Sequence, residues 1–287
     1  MISYMYVCPV GTSLLQNFSI NMNINPKYSD LSKKYGIYKI SEWHKLSLDD
    51  PLNIVPDGYI CNVVKGHEIF KAIYDFLLDK PREASAEING IMAIRDCYGH
   101  KPTDVEVLLY NTRTCNSRLC SYLIRDYLTN LGYRVETIEI AGMRSVDDLD
   151  EGLVEVLDKV VRLIVRKKSE GIKVYVNATP GFKPEAAFFT IASILAGADA
   201  IIYIHDAFKQ PVLLPVPPIT VDTQVINIID REFEMVKCVD SYYLRKSLGS
   251  EELLTRLIDM GVLKASEGKV CLRNWVKMLL DIVRTSR

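Results

Sequence analysis

Ile172-Lys173-Val174-Tyr175-Val176-Asn177-Ala178-Thr179-Pro180-Gly181-Phe182-Lys183-Pro184-Glu185 reads as a strand, a tight turn and a helix start in unbroken succession. The first five residues are β-branched or aromatic apart from one lysine, and the run from Ala186 to Ala196 is an apolar helix. A strand that ends in a Thr/Gly turn and feeds a helix gathers backbone N–H groups, a hydroxyl and one lysine around a single point. Such a point suits an anion, most often a phosphate. Lys183 strengthens that reading, because a cation at a helix start opposes the helix dipole unless an anion sits beside it.

Working outward, four further β-rich runs stand at 4–9, 105–110, 134–139 and 200–204, with the quoted strand at 172–177. All are continuous in apolarity, as strands covered on both faces must be. Helical patterns at 116–131, 146–168 and 183–196 separate the later ones. The middle helix carries Leu149, Leu153, Val156, Val160 and Leu163 on one side, opens with acids and closes with Arg166, Lys167 and Lys168, matching the dipole at both ends. Alternation of this kind predicts an α/β fold with a Rossmann-like parallel sheet.

Two regions depart from it. Residues 20–104 form an insertion between the first two strands, irregular over 22–64 and helical at 67–79 and 83–96. Residues 209–222 carry Pro211, Pro215, Pro217 and Pro218 and run along or away from the sheet edge. A boundary there divides the chain into a domain at 1–215 and a smaller one at 216–287. In the latter, Ser250 caps a helix that Gly261 closes, Val262–Ala265 and Lys269–Leu272 form a hairpin through Ser266-Glu267-Gly268, and a last helix covers 274–284. Helix, helix, hairpin, helix is the order of a small winged helix-turn-helix.

Composition narrows the functions. The 287 residues carry 35 basic and 36 acidic side chains, so no overall charge drives nucleic-acid or membrane binding. Gly197 and Asp199 interrupt the apolar stretch 186–204, which reads as helix plus strand rather than a membrane span. Seven cysteines without a CxxC pair, in a chain with no secretory signal, read as reduced and cytoplasmic. Four scattered histidines give no structural metal set.

Ligands of open parallel sheets bind beyond the carboxyl ends of the strands. Three such ends carry Gly11-Thr12-Ser13, Asn111-Thr112-Arg113-Thr114 and Thr179-Pro180-Gly181-Phe182-Lys183, and together they would line one cleft. Thr12 and Ser13 also suit a helix cap, and Asn177 and Thr179 suit a turn tie.

Pro9-Val10-Gly11-Thr12-Ser13-Leu14-Leu15, the turn 111–118 and Asn177–Glu185 together resemble CRISPR-associated Rossmann fold (CARF) proteins, over about residues 1–215. The helix start Ala84-Ser85-Ala86-Glu87 is similar to one archaeal-type subgroup. The resemblance implies a homodimer that binds a cyclic oligoadenylate on its two-fold axis. In the ring nuclease subgroup it further implies slow cleavage of cyclic tetra-adenylate to linear products with 2′,3′-cyclic phosphate ends, which switches off type III CRISPR antiviral signalling. Ser13 and Lys183 would then be catalytic, and Gly11, Thr12, Asn111, Thr112, Arg113, Thr179, Pro180, Gly181 and Phe182 ligand-binding. No cofactor or metal is implied, since the ribose 2′-hydroxyl is the nucleophile. With no general base evident in the three turns, a factor of roughly 10²–10⁴ is forgone and turnover is slow.

The resemblance leaves two alternatives. A cyclic-oligoadenylate-sensing transcription regulator would bind DNA through the tail, where nine Lys/Arg face six Asp/Glu from residue 240 onward. Glu251 and Glu252 open its recognition helix, so a dimer or lid role is preferred. A ligand-activated ribonuclease would use Arg95-x₄-His100, but Gly99 marks a helix end there and chance spacing is the better account.

Overall fold

The computed structural model describes residues 2–140, 154–155, 157–180, 183–204, 211–214, 223–277 and 280. Its main sheet has six strands: β1 (Tyr4–Val10), β2 (Val105–Thr112), β3 (Arg134–Ile140), β4 (Lys173–Asn177), β5 (Ala200–Ile204) and β6 (Pro211–Leu214), in the spatial order β3-β2-β1-β4-β5-β6. The first five are parallel, and β6 closes the edge antiparallel to β5. Of the proline-rich segment, residues 211–214 run along the edge, as a strand too short for the sequence to reveal. Pro211 starts it, the position where a missing N–H is tolerated.

The continuous apolarity of the strands has the predicted cause. Along β1, Tyr6 and Cys8 face one buried layer while Met5 and Val7 face the other, all fully buried. The first layer packs under α1 (Ser13–Ile24), α3 (Glu68–Asp79), α5 (Ala86–Tyr98) and α6 (Cys115–Asn130), with the short α2 (Ser29–Lys34) and α4 (Pro81–Ala84) at its border. The second lies under a π-helical turn at Leu157–Val161, α7 (Arg162–Ser169) and α8 (Lys183–Leu195). The predicted helix at 146–168 overlaps that turn and α7 at its end; its residues 146–153 and Val156 lie outside the described residues.

The insertion is no separate unit. Its short 3₁₀ helices bury Trp43 and Ile60 in the same cluster as β1 and β2. Trp43 Nε1 donates to the Tyr38 carbonyl (2.6 Å), and Asn116 Nδ2 donates to the Trp43 carbonyl (3.0 Å). Trp43, without an assignable role from sequence, is the insertion's anchor.

The tail has its own cluster, from Ile229 to Leu280. It comprises α9 (Thr223–Glu232), β7 (Cys238–Asp240), α10 (Ser241–Leu248), α11 (Glu251–Asp259), β8 (Leu263–Ser266) and β9 (Lys269–Leu272), the strands ordered β7-β9-β8. Ser250 caps α11 by accepting from the Leu253 N–H. The hairpin turns on Glu267 and Gly268, both at positive φ, the two-residue geometry that matches strand twist. Residues 274–277 are helical, and 278–279 and 281–287 lie outside the described residues.

The cysteine reading is corrected. Cys61 and Cys115 are joined, as are Cys238 and Cys271, at sequence separations of 54 and 33. Those distances leave no local spacing signal, because folding alone brings the partners together. Cys8, Cys97 and Cys120 are free.

Candidate functional site

Chain order reverses between β1 and β4: from β1 the sheet grows through β2 and β3 to one side and through β4 and β5 to the other. Crevices form at the carboxyl end of such a switch point. Here a cleft of about 910 Å³ opens, lined by Gly11, Thr12, Ser13, Thr112, Arg113, Thr179 and Pro180. The turns after β1, β2 and β4 therefore meet at one rim, because β2, β1 and β4 are neighbours in register, with Val10 beside Asn111 and Val7 beside Val176.

Not every expected residue faces the cleft. Asn111 is buried below the rim, its Nδ2 donating to the Thr112 carbonyl (3.1 Å); as a strand residue in the pleat it points into the packed layer. Gly181 and Phe182 lie outside the described residues. Lys183 is the first residue of α8, as the turn predicted, and its side chain is outside them too.

The rim residues do more than await a ligand. Thr12 precedes α1 without capping it and instead donates to the His44 carbonyl (2.8 Å). Thr179 Oγ1 accepts from the Ile204 N–H (2.8 Å), tying β4 to β5, and its own N–H donates to Asn177 Oδ1 (3.2 Å). Arg113 is exposed in the cleft and forms no ion pair among the described residues. Arg118 is spent on Glu139 of β3 (2.6 Å).

Several backbone donors around the rim are already engaged. Gly11 N–H donates to Glu87 Oε1 (2.8 Å). At the start of α6, the N–H groups of Cys115 and Asn116 donate to the carbonyl and side chain of buried Asn53 (3.0 and 2.9 Å). Fold-stabilising acceptors have taken these donors.

Sequence reasoning missed two parts of the site. The first is the insertion wall: His44, Leu46, Ser47, Leu48, Asp49, Ile54 and Val55 line the cleft opposite the strand ends. His44 Nδ1 is buried with no hydrogen-bond partner among the described residues. Thr12, Asn53, Asn116 and the Cys61–Cys115 bond stitch this wall to the rim.

The second is Glu87. Its carboxylate lines the cleft floor and is 0% exposed. Oε2 accepts from the hydroxyls of Ser13 (2.9 Å) and Ser85 (2.7 Å). Ser13 Oγ accepts in turn from the Ala86 N–H (3.1 Å), and Ser85 caps α5 through the Ile88 N–H (3.2 Å). A carboxylate in the first turn of α5 suits that helix's dipole. The three turns hold no acid of their own, as expected, yet one reaches them from 74 residues away. The only local signal was Ser85-x-Glu87 at a helix start.

The position of α5 depends on Gly90. A Cβ there would stand 2.2 Å from the Asn177 side chain, whose Nδ2 donates to the Glu87 carbonyl (3.2 Å) and to Cys8 Sγ (3.3 Å).

Arg95 and His100 form no second site. Arg95 pairs with Asp96 (2.7 Å), while a hydrogen bond joins His100 Nδ1 to Tyr6 Oη (2.7 Å) and its ring stacks on Tyr4. Both lie at the amino ends of the strands, across the sheet from the cleft.

Fold and cleft define an α/β protein with an open cleft at the switch point of a mostly parallel sheet. Residues 82–217 match the family model of a CRISPR-associated protein (Cas_APE2256), a segment holding Glu87, Arg113 and Thr179 but not Ser13. The match supports a CRISPR-associated protein. Among solved structures the chain is similar to protein VC1899 from Vibrio cholerae, at 12% identity and a TM-score of 0.32, over 61% of this chain and 59% of that one. The chain thus spans less than two thirds of that protein's length.

Proposed function

We propose that the protein is a ring nuclease that binds cyclic tetra-adenylate as a homodimer and slowly opens it to linear products ending in 2′,3′-cyclic phosphate. The observation that carries this reading is the single cleft uniting Gly11–Ser13, Thr112–Thr114 and Thr179–Pro180 around Arg113, which has no ion pair among the described residues. The similarity to CRISPR-associated proteins supplies the biological setting. A volume of about 910 Å³ lies near the upper end for drug-sized ligands, roughly 300–1,000 Å³, and suits part of a ring shared across a two-fold axis.

In this reading the rim holds the 2′-oxygen, phosphorus and 5′-oxygen in line. Arg113 and Lys183 neutralise phosphoryl charge as it grows. Thr12 and Thr179 keep the rim's shape, and Ser13 meets the reacting ribose. The tail, from about residue 216, serves as a dimer or lid element. Incubating the full chain with cyclic tetra-adenylate tests the reading: linear di-adenylates are expected, and an intact ring after long incubation with excess protein rejects it.

A further inference from the structure

We propose that Ser13 and Glu87 form a proton relay, in which Ser13 Oγ receives the proton of the attacking 2′-hydroxyl and passes its own to Glu87. The inference rests on the ring-opening reading above and supplies the general base that the three turns lack.

The geometry is directional. Ser13 Oγ accepts one hydrogen bond from the Ala86 N–H (3.1 Å) and points its proton at Glu87 Oε2 (2.9 Å). A hydroxyl has two acceptor lone pairs, so one remains without a donor among the described residues, and Ser13 lines the cleft. The group able to use it is a donor on the ligand, and a ribose 2′-hydroxyl is such a donor. Glu87 accepts from Gly11, Ser13 and Ser85 and donates to none of them. Buried on the floor, it cannot touch a ligand except through Ser13, so it is a positioning and proton-accepting residue.

The step balances without a co-reactant. The 2′-oxygen forms a bond to phosphorus as its proton moves to Ser13 Oγ and the Ser13 proton moves to Glu87. The phosphorus–O5′ bond breaks, and the 5′-oxygen takes a proton from solvent. Glu87 then releases its proton to water. Among the described residues, the titratable groups that feel the Glu87 charge are the Cys8 thiol of β1 and the Cys120 thiol of α6. Burial, and secondarily the charge of Glu87, push both up, so both stay protonated in the working range and neither competes as acceptor.

The test is single-turnover cleavage of cyclic tetra-adenylate by the full chain across a pH series, for wild type, Glu87→Gln, Ser13→Ala and the double variant, with ring binding and thermal melting measured in parallel. The relay predicts a loss of roughly 10²–10⁴-fold in Glu87→Gln with ring binding retained. It also predicts that the fall in rate at low pH disappears in both single variants, and that the double variant is no worse than either. Should Glu87→Gln fail to fold, Ser13→Ala alone decides, because a Ser13 with no relay role leaves the low-pH fall in place. Wild-type cleavage with an unchanged profile in the variants overturns the relay alone. A wild type that leaves the ring intact overturns the ring-opening reading and the relay with it.

Discussion

Gly90 sets how closely α5 approaches β4, and through that contact it sets where Glu87 meets Ser13. Gly90→Ala drives a methyl into the Asn177 amide at 2.2 Å, a backbone-flanked neighbour with three hydrogen bonds to keep. We expect a loss of about 1–3 kcal/mol in urea unfolding, together with weakened cleavage. His100 carries a different prediction. Burial, aided by the Lys173 charge, holds its imidazole below the usual range, so the unfolded chain takes up a proton more readily than the native one. The stability this contributes is complete above the ordinary histidine value of about 6.5 and drains away as pH falls through the lowered native value. Melting temperatures measured from pH 7.5 downward should therefore drop more steeply for wild type than for His100→Gln; parallel slopes would remove His100 from the account. At this scale the sequence was partly readable. Thr12, Ser13, Arg113 and Thr179 announce themselves because each follows a strand directly. Glu87 and Gly90 do not, because their importance lies in what a helix from another part of the chain touches.

The insertion behaves as a wall of the cleft, held by one indole, the Thr12 hydroxyl, two buried asparagines and one disulfide. Trp43→Ala removes a fully buried side chain from the shared core and should cost about 3–5 kcal/mol in denaturant unfolding. Breaking the Cys61–Cys115 bond, which closes a span of 54 residues, should cost roughly 2–4 kcal/mol. In Cys61→Ser, ring affinity should fall with it, as the segment carrying Ile54 and Val55 loses its tie to the rim at Cys115. Unchanged affinity by calorimetry would show that the wall stands without the bond. The strands were legible because burial on both faces writes an uninterrupted apolar run. The wall was not, because its 3₁₀ turns follow no hydrophobic period and are fixed by side-chain-to-backbone bonds such as those from Asn53 to the Leu46 and Ser47 carbonyls. β6 escaped notice for a simpler reason: four residues opening with proline carry too little pattern.

The whole molecule places strand ends distant in sequence beside one another because the sheet grows both ways from β1. That topology follows from strand–helix alternation, so the convergence of the three turns was foreseeable, whereas the occupant of the backbone donors around them was not. With the Gly11, Cys115 and Asn116 donors bound to Glu87 and Asn53, side-chain cations carry more of the cleft's affinity for an anion. Ring binding should accordingly weaken with rising salt, and Arg113→Ala should weaken it at low salt most of all. Mass spectrometry of the products after incubating excess full-length protein, wild type and Lys183→Ala, with cyclic tri-, tetra- and hexa-adenylate tests the central claim most directly. The account predicts linear di-adenylate bearing a 2′,3′-cyclic phosphate from the tetra-adenylate ring with wild type, and a surviving ring with Lys183→Ala. Recovery of all three rings intact from the wild-type reaction would contradict it.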